Sequence, residues 1–288
     1  MQVGESRRAD ATAGQLGWGR RYLMVEPRHF TVSYHINPWM TPGVRTDVAV
    51  AQWAKLVATM QALGADVVRA ADVEDLPDMA FAMNGAFVVG EMAVPSRFRH
   101  EQRQAEEPYW HKIFADLGLT VTELDAGADV RFEAGDAFLL GDVLVGAWGF
   151  RSEKAAGSAL ARQIGARHFL GLHLVDERFY HLDTCFCPLS EDLVVYFPAA
   201  FEPASAAELA ATFPEALRLT EPEALTFCAN SLLIGQTVVS SGLPPRVSSW
   251  LAERGYDTAT VGLGEFHKSG GSARCLTLPL DVQAPRRT

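Results

Sequence analysis

Residues 135–149, GDAFLLGDVLVGAWG, contain the pattern that decides the fold: a polar start, an apolar strand, a turn at Gly141 and a second apolar strand. The same pattern recurs at 84–95 (NGAFVVGEMAVP), 183–197 (DTCFCPLSEDLVVYF) and 229–241 (ANSLLIGQTVVSS). Runs of Val, Leu, Ile and Phe favour strands, and a central Gly or Ser-Glu step favours a hairpin turn. The turns recur about every 45–50 residues, an interval typical of repeated supersecondary units.

Helical patterns lie between the hairpins, and each leads into a short apolar stretch. Helices are predicted at 46–63, 101–117, 152–165, 205–213 and 243–254. About five units of hairpin, helix and strand fit, if RYLMVEPRHFTV (21–32) opens the chain and CLTLPL (275–280) closes it. The sequence thus predicts one α/β domain over 20–288, closed into a ring of five units. An open doubly wound sheet is the alternative, but no G-x-G-x-x-G follows the first strand.

The bulk composition limits the classes of partner. The chain has 288 residues, of which 48% are apolar and 21% charged, and its formal net charge is −10. Nucleic-acid binding is not expected, because it usually needs a basic face. No apolar run has the length of a signal peptide or a membrane span, so no membrane association is expected either. Residues 1–19 are predicted to be a flexible tail, and the apolar surface strands are compatible with a homodimer.

The four cysteines are Cys185, Cys187, Cys228 and Cys275. Without a secretory signal they are expected to be reduced thiols, which predicts a cytoplasmic protein. The Cys-x-Cys pair at 185 and 187 has no second pair or His cluster beside it, so no metal site is predicted.

Polar side chains stand at the start of each hairpin, and pseudo-symmetry would bring them together near one axis. These strand-start residues are Asn84, Glu133 with Asp136, His181 with Asp183, Asn230 and Cys275. One thiol, one imidazole, several carboxylates and two amides form a chemically coherent set, so the sequence predicts a site where the five units meet.

Cys275 is the candidate nucleophile. It lies in SGGSARC, where glycines allow a close approach of backbone and ligand and Arg274 would favour the thiolate. A buried structural cysteine is the alternative. His181 and Asp183 lie two residues apart, so on a strand both side chains would project to one face. They would form an oriented acid/base or contact substrate independently, and the alternative is an ordinary strand histidine.

Two further groups carry weaker signals. The carboxylates of Glu133 and Asp136 would bind a guanidinium through charge-assisted hydrogen bonds, or form a solvated turn. Arginines in the basic stretch would clamp a substrate carboxylate, or form surface ion pairs; they are Arg97, Arg99, Arg103 and Arg151. The turn that contains Asn37 carries no mechanism by itself.

Three motifs in order, EAGD at 133–136, HLD at 181–183 and GGSARC at 270–275, resemble the guanidine-modifying enzymes of the pentein superfamily. The likeness covers about residues 20–282. That family includes dimethylarginine dimethylaminohydrolases, arginine deiminases, arginine dihydrolases and amidinotransferases. The resemblance implies a five-bladed pseudosymmetric α/β propeller, which agrees with the ring inferred from the repeats.

The resemblance also implies roles for single residues. Cys275 matches the nucleophile, His181 the general acid and base, and Glu133 the carboxylate that supports the histidine and binds guanidinium. The implied substrate-binding residues are Asp78, Phe81, Asn84, Arg103, Asp136, Arg151, Asp183 and Asn37. The segment 77–84 keeps the Asp and Phe of the family's P-D-x-x-F, whereas Asn84 stands where many relatives carry Asp.

The implied reaction is hydrolysis of a guanidinium C–N bond through a covalent thiouronium on Cys275, with no metal or organic cofactor. The EAGD block and the position of Arg151 favour dimethylarginine as substrate, giving citrulline and dimethylamine. The alternatives are an arginine dihydrolase, in which Asn37 and Asn84 hold a ureido intermediate, and an arginine deiminase. A non-catalytic pentein scaffold is the rival outside the enzymes, and it would not need the Cys, His and Glu residues.

Overall fold

Five three-stranded sheets make up the computed structural model, which describes residues 15–285. The strands are β1 (Arg21–Val25), β2 (Asp66–Ala70), β3 (Ala86–Val89), β4 (Met92–Pro95), β5 (Thr120–Val121), β6 (Ala137–Leu140), β7 (Val143–Trp148), β8 (His168–His173), β9 (Phe186–Pro188), β10 (Val194–Tyr196), β11 (Leu217–Arg218), β12 (Leu232–Ile234), β13 (Thr237–Ser240), β14 (Asp257–Thr260) and β15 (Leu278–Pro279). In each sheet the middle strand pairs antiparallel with one neighbour and parallel with the other. The predicted five-bladed α/β propeller is confirmed, and each sheet with its helix is called a blade below.

Three of the four predicted hairpins turn at a glycine in the left-handed region. The φ angles of Gly90, Gly141 and Gly235 are 56°, 58° and 61°, and this conformation favours glycine because a Cβ would clash there. The hairpin of β9 and β10 has a longer loop instead, in which the Ser190 hydroxyl accepts the N–H of Leu193 at 2.9 Å.

Helices connect the middle strand of each blade to its parallel neighbour. The α-helices are α1 (Thr46–Ala62), α2 (Glu101–Gln104), α3 (Glu107–Asp116), α4 (Lys154–Ile164), α5 (Pro203–Thr212), α6 (Glu221–Ala224), α7 (Pro245–Glu253) and α8 (Gly264–His267). Four of the predicted helices are confirmed to within a few residues, but the one at 101–117 is divided into α2 and α3. Pro108 lies in the first turn of α3, and its ring nitrogen has no proton to continue a helix from α2.

The two ends of the chain meet in the first blade. Strand β15 pairs antiparallel with β1, with Leu278 opposite Leu23, and β2 lies parallel on the other side of β1. The last strand thereby completes the sheet that the first strand begins, and the ring is closed without a linker.

Large apolar side chains fill the space between helices and sheets. Trp53 of α1 and Trp110 of α3 are almost fully buried, and the Phe138 and Phe186 rings of neighbouring blades lie 5.6 Å apart. Truncating such a side chain to alanine typically costs about 3–5 kcal/mol, so these contacts hold the blades in register.

Short 3₁₀ turns carry the strand-start residues of three blades. They are Ala82–Asn84, Ala134–Asp136 and Leu182–Thr184, each leading into the first strand of its hairpin. His181 is extended and Asp183 lies inside the last turn, which the N–H of Thr184 closes on the carbonyl of His181. The prediction that His181 and Asp183 lie on a strand was therefore wrong, because a local turn replaces ladder pairing here, although both side chains still face the same point beside Gly135.

The chain termini and the bulk predictions have mixed outcomes. Residues 1–14, most of the predicted tail 1–19, lie outside the described residues. Trp18 stacks on Phe138 and donates to the carbonyl of Leu139 at 3.1 Å, and the domain boundary at residue 20 stays a prediction. Between residues 15 and 285, no helix has the length and apolar character needed to cross a bilayer. All four cysteines are buried and unpaired.

Candidate active site

Hydrogen bonds between neighbouring blades bring the strand-start residues together. The Asn84 side-chain Oδ1 accepts the N–H of Gly135 in the next blade at 3.0 Å, and Asp136 Oδ1 accepts the N–H of Leu182 at 3.0 Å. In both cases the donor directly precedes the next strand-start residue. Asp183 departs from this pattern, since its carboxylate faces the Cys275 thiol and its Oδ1 has no hydrogen-bond partner within 15–285.

Cys275 lies at the end of the nucleophile loop, residues 269–275, and is only 2% exposed. Its Sγ donates to Asp183 Oδ2 at 3.3 Å and accepts from Asn230 Nδ2 at 3.0 Å. Burial raises the pKa of the thiol well above its usual value, and the negative charge of Asp183 raises it further. Both effects disfavour the thiolate, and a nearby cation would favour it.

His181 and Glu133 form a buried pair. Nε2 of His181 lies 2.8 Å from Glu133 Oε2, and the other oxygen of Glu133 accepts the backbone N–H of Arg99 at 3.2 Å. Burial would raise the pKa of Glu133, but the charge of Arg151 and the hydrogen bond to His181 outweigh it and hold that pKa well below its usual range. Because Glu133 binds Nε2, the nitrogen left for proton transfer is Nδ1 of His181, which has no hydrogen-bond partner among residues 15–285.

Asp136 is buried beside this pair, and the structure uses both of its oxygens internally. One accepts the N–H of Leu182 and the other the N–H of Ser152 at 3.2 Å. Burial raises the pKa of Asp136 to about 6. These bonds give Asp136 a framework role in the empty site, and its predicted contact with substrate stays a prediction.

Asp78, Phe81 and Asn84, the residues of segment 77–84 predicted to bind the guanidinium head of the substrate, line a narrow cavity next to Cys275. Its volume is ≈ 10 Å³, about the space of one water molecule. Asp78 accepts from the Tyr34 hydroxyl at 2.8 Å and from Ser269 at 3.3 Å. Phe81 and Asn84 complete this wall. Asn84 Oδ1 is occupied by the N–H of Gly135, and within the described chain its Nδ2 donates to no other group.

The loop that covers the site is built around Asn37. Its Nδ2 donates to the Ser269 carbonyl at 3.1 Å, and its Oδ1 accepts the N–H of Trp39 at 2.9 Å. Both ends of this amide are therefore occupied in the empty site. Tyr34 and Trp39 anchor the same loop, through Asp78 and through the carbonyl of Arg178.

The two arginines predicted to bind the α-carboxylate are both engaged by acidic side chains. Arg103 pairs with Glu106 at 2.7 Å and is almost fully buried. Arg151 pairs with Glu133 at 3.2 Å and lies over the Tyr180 ring. Their binding of a carboxylate stays a prediction. The surface alternative is excluded for both, since neither side chain is more than 3% exposed.

A wider cavity of ≈ 480 Å³ adjoins the narrow one. Arg151, Tyr180 and Asn37 line both cavities, and His100 and Glu177 line only the outer one. Its volume is in the range of small-molecule sites. The Cys275 thiol lies at the inner end, and the Arg151 guanidinium lies where the two cavities join. This arrangement suits a ligand with a reactive cationic head and an anionic tail.

The comparisons with known proteins agree with this geometry. The sequence matches no protein-family model. It is 34% identical over 266 residues to the N(G),N(G)-dimethylarginine dimethylaminohydrolase of Mycobacterium tuberculosis, and the alignment covers 91% of this chain and 86% of that protein. The chain belongs to the guanidine-modifying pentein family.

A second relative of this pentein is longer. The chain is 39% identical over 267 residues to the bifunctional arginine dihydrolase/ornithine cyclodeaminase ArgZ of Synechocystis, covering 90% of the chain but 37% of that protein. The crystallised N-terminal domain of ArgZ, a cyanobacterial arginine dihydrolase bound to its product, has a TM-score of 0.88 at 37% identity. The structural match covers 92% of this chain and 99% of the ArgZ domain. A mutant of that domain was solved covalently bonded to a reaction intermediate.

Two residues of this pentein site were not assigned by sequence reasoning. Asn230 was recognised as a strand-start residue but received no role, although its side chain contacts Cys275. Tyr180 was missed, and its hydroxyl donates to the carbonyl of Gly270 at 2.9 Å. The repeat pattern could have found Asn230, whereas nothing in the local sequence marks Tyr180.

Gly135, the glycine of the EAGD motif, lies where three side chains of the pentein site meet. A Cβ there would be 2.5 Å from Asn84 Oδ1, 3.3 Å from His181 Cγ and 3.4 Å from Asp183 Oδ1. We therefore expect Gly135→Ala to destabilise the fold by about 1–3 kcal/mol through overpacking. We also expect it to lower kcat by roughly 10²-fold, because displaced reacting groups lose their alignment.

Thermal unfolding and steady-state kinetics check this expectation. Gly127→Ala is the matched control, since its Cβ would meet only Val130 at an ordinary 3.7 Å. Wild-type activity in Gly135→Ala would show that the close approach at this glycine has no functional weight.

Proposed function

We propose that this chain is a cysteine hydrolase that cleaves a C–N bond in the guanidinium group of arginine or a methylated arginine. The observation that carries the proposal is the cluster around Cys275. Asp183 lies against its thiol, and His181, paired with Glu133, meets Asp183 around Gly135. A nucleophile, an acid/base and carboxylates for a cation are the groups that this chemistry needs.

The first half-reaction begins when the guanidinium binds between the carboxylates of Asp183 and Glu133. Its positive charge favours the thiolate, which burial and Asp183 disfavour, and the thiol proton passes to Nδ1 of His181. The Cys275 sulfur attacks the central guanidinium carbon. His181 then gives its proton to the departing nitrogen, so that a neutral amine leaves and a cationic thiouronium remains on Cys275.

The second half-reaction uses the same groups in reverse. His181 removes a proton from water, and the hydroxyl oxygen attacks the thiouronium carbon. The C–S bond breaks, the sulfur leaves as a thiol, and a ureido product forms. One proton is released to the amine or to solvent. With arginine the products are citrulline and ammonia, and with asymmetric dimethylarginine they are citrulline and dimethylamine.

The amide of Asn84 favours arginine, carried on to ornithine, over the dimethylarginine reaction. Because its Oδ1 is bound to Gly135, it offers an N–H donor to the head-group cavity. A donor does not attract a guanidinium, which has only N–H groups, but it can bind the oxygen of a ureido group. When citrulline is retained, Cys275 attacks its ureido carbon, the C–N bond to the ornithine nitrogen breaks, and His181 protonates that nitrogen as ornithine leaves. Water then hydrolyses the S-carbamoyl group left on Cys275 to carbamate, which decomposes to ammonia and carbon dioxide. The N-terminal domain of ArgZ, named as an arginine dihydrolase, supports this choice.

Dimethylarginine is the second candidate substrate. The relative from Mycobacterium tuberculosis carries that name and aligns along most of its length, and the EAGD block favours the same branch. Both candidates share the first half-reaction, so the proposed roles of Cys275, His181 and Glu133 do not depend on the choice.

Product analysis separates the candidates. We expect arginine to give ornithine and at least two equivalents of ammonia, measured by mass spectrometry and an ammonia assay. Asn84→Ser, which shortens the donor, is expected to release citrulline instead, with little loss in the consumption of arginine. Citrulline and dimethylamine from dimethylarginine alone would exclude the dihydrolase, and turnover of neither substrate would refute the proposed function.

The setting of the enzyme is proposed on fewer observations. A catalytic thiol and three further unpaired cysteines suit a reducing compartment, so we propose cytoplasmic action. We also propose a homodimer without nucleic-acid or membrane partners, and one catalytic domain over residues 20–288. Light scattering of the purified chain tests the oligomeric state.

A further inference from the structure

Asn230 precedes the first strand of the fourth blade and is fully buried beside the nucleophile loop. Its Oδ1 accepts the backbone N–H groups of Ser272 at 2.9 Å and Cys275 at 3.2 Å. Its Nδ2 donates to the Asp183 carbonyl at 2.7 Å and to Cys275 Sγ at 3.0 Å. One side chain therefore holds both ends of the turn that presents the sulfur.

These four contacts fix the orientation of the Asn230 amide. Two backbone N–H groups can only be accepted by the oxygen, and the Asp183 carbonyl can only accept from the nitrogen. Rotating the amide by 180° would break all four contacts. The remaining proton on Nδ2 is thereby directed at Cys275 Sγ, where it interacts more strongly with a thiolate than with a thiol.

We propose that Asn230 is the positioning residue that fixes Cys275 Sγ for attack and holds its thiolate form by a hydrogen bond. This role deepens the proposed hydrolase function and rests on it. It also explains how a thiol beside the carboxylate of Asp183 can ionise: the substrate cation offsets Asp183, and Asn230 then retains the negative sulfur. Without Asn230, burial and Asp183 would both act against the thiolate.

Other charges around Cys275 must be held constant in any test. The charged or titratable groups that interact electrostatically with it include Asp183, Tyr180 and Arg274, and His181 lies next to Asp183 beside Gly135. Asn230 also hydrogen-bonds Asp183, at its backbone carbonyl and at its carboxylate, so a substitution at 230 removes these bonds as well while the three charged or titratable groups stay in the chain. The Arg274 guanidinium lies over the Trp18 ring at 4.9 Å and over the Phe138 ring of β6 at 5.0 Å.

Two substitutions separate positioning from thiolate stabilisation. Asn230→Asp keeps an oxygen acceptor for the two backbone N–H groups but replaces the donor with a like charge. Asn230→Ala removes both functions. The readout is the pH dependence of Cys275 alkylation by iodoacetamide, followed site by site with peptide mass spectrometry, which needs no substrate.

We expect the alkylation rate at pH 8 to fall about 10-fold in Asn230→Ala, equivalent to a rise of one pKa unit, and further in Asn230→Asp. Turnover should fall in parallel, with its pH optimum moved upward. Unfolding curves identify any variant that does not fold, and if Asn230→Ala is one, Asn230→Asp carries the test. An unchanged pH profile in a folded variant overturns the proposal. A shifted profile in a protein that hydrolyses no guanidine upholds the role of Asn230 toward the thiol and removes the proposed function alone.

Discussion

Cys275→Ser is expected to lower kcat by more than about 10⁴-fold while leaving the fold intact, because a serine hydroxyl in this site is not ionised by a bound cation. The side chain is buried, and its neighbours can hydrogen-bond a serine oxygen as they do the cysteine sulfur. Asp183 can accept from the hydroxyl, and Asn230 can donate to it. Steady-state product formation measures the loss in kcat, and an unfolding curve measures whether the fold is intact.

The control for Cys275→Ser uses another buried thiol of the same chain. Cys228 donates its S–H to the Glu223 carbonyl, and burial raises its pKa to about 11. Cys228→Ser should keep wild-type turnover, since a hydroxyl can make the same bond. Intact-mass spectra of quenched reactions should show a covalent adduct in Cys228→Ser and none in Cys275→Ser. Turnover by Cys275→Ser near the wild-type rate would end the covalent mechanism.

Replacing His181 by Ala is expected to lower kcat by about 10²–10⁴-fold, the usual contribution of a positioned acid/base. Without Nδ1, no group protonates the departing amine in the first half-reaction, and no group activates water in the second. Glu133 is a poor replacement, because the charge of Arg151, which remains in the variant, lowers its pKa and disfavours its protonated form. Initial rates with arginine measure the loss.

A substrate with a different leaving group tests the role assigned to His181. S-methylthiocitrulline releases methanethiolate, which leaves without a proton, and forms the same thiouronium on Cys275. His181→Ala should then release about one equivalent of methanethiol per site and accumulate the adduct, because hydrolysis still lacks its base. Equal losses for arginine and for this analogue, without an adduct, would mean that His181 only supports the structure.

Much of this architecture could be predicted from sequence because each repeat is defined by residues that are close together in the chain. Glycines at the turns 90, 141 and 235 and the apolar pairs of strands around them define each blade locally. In such a ring the polar residue at the start of each unit lies near the axis, so the repeat alone predicts that Cys275 and His181 lie close together.

The contacts of the site were less predictable, because they join residues from different blades. The pairing of Arg151 with Glu133 depends on how far one blade is rotated from the next, and no periodicity encodes that distance. The strand predicted for His181 and Asp183 was wrong because a 3₁₀ turn at 182–184 takes its place. Asn230 received no role since an isolated asparagine before a strand is usually a turn residue.

The closure of the first blade by β15 has a consequence for how the enzyme becomes active. The nucleophile lies three positions before Leu278, which pairs with Leu23 from the opposite end of the chain. During synthesis, four blades can form while Cys275 is still absent from the site. Joining such distant segments carries a loop-closure cost and comes late in folding. The Cys275 sulfur therefore joins the site after the other blades that form it. Partly synthesised chains lack this thiol, so they can neither modify guanidines nor expose it to oxidants.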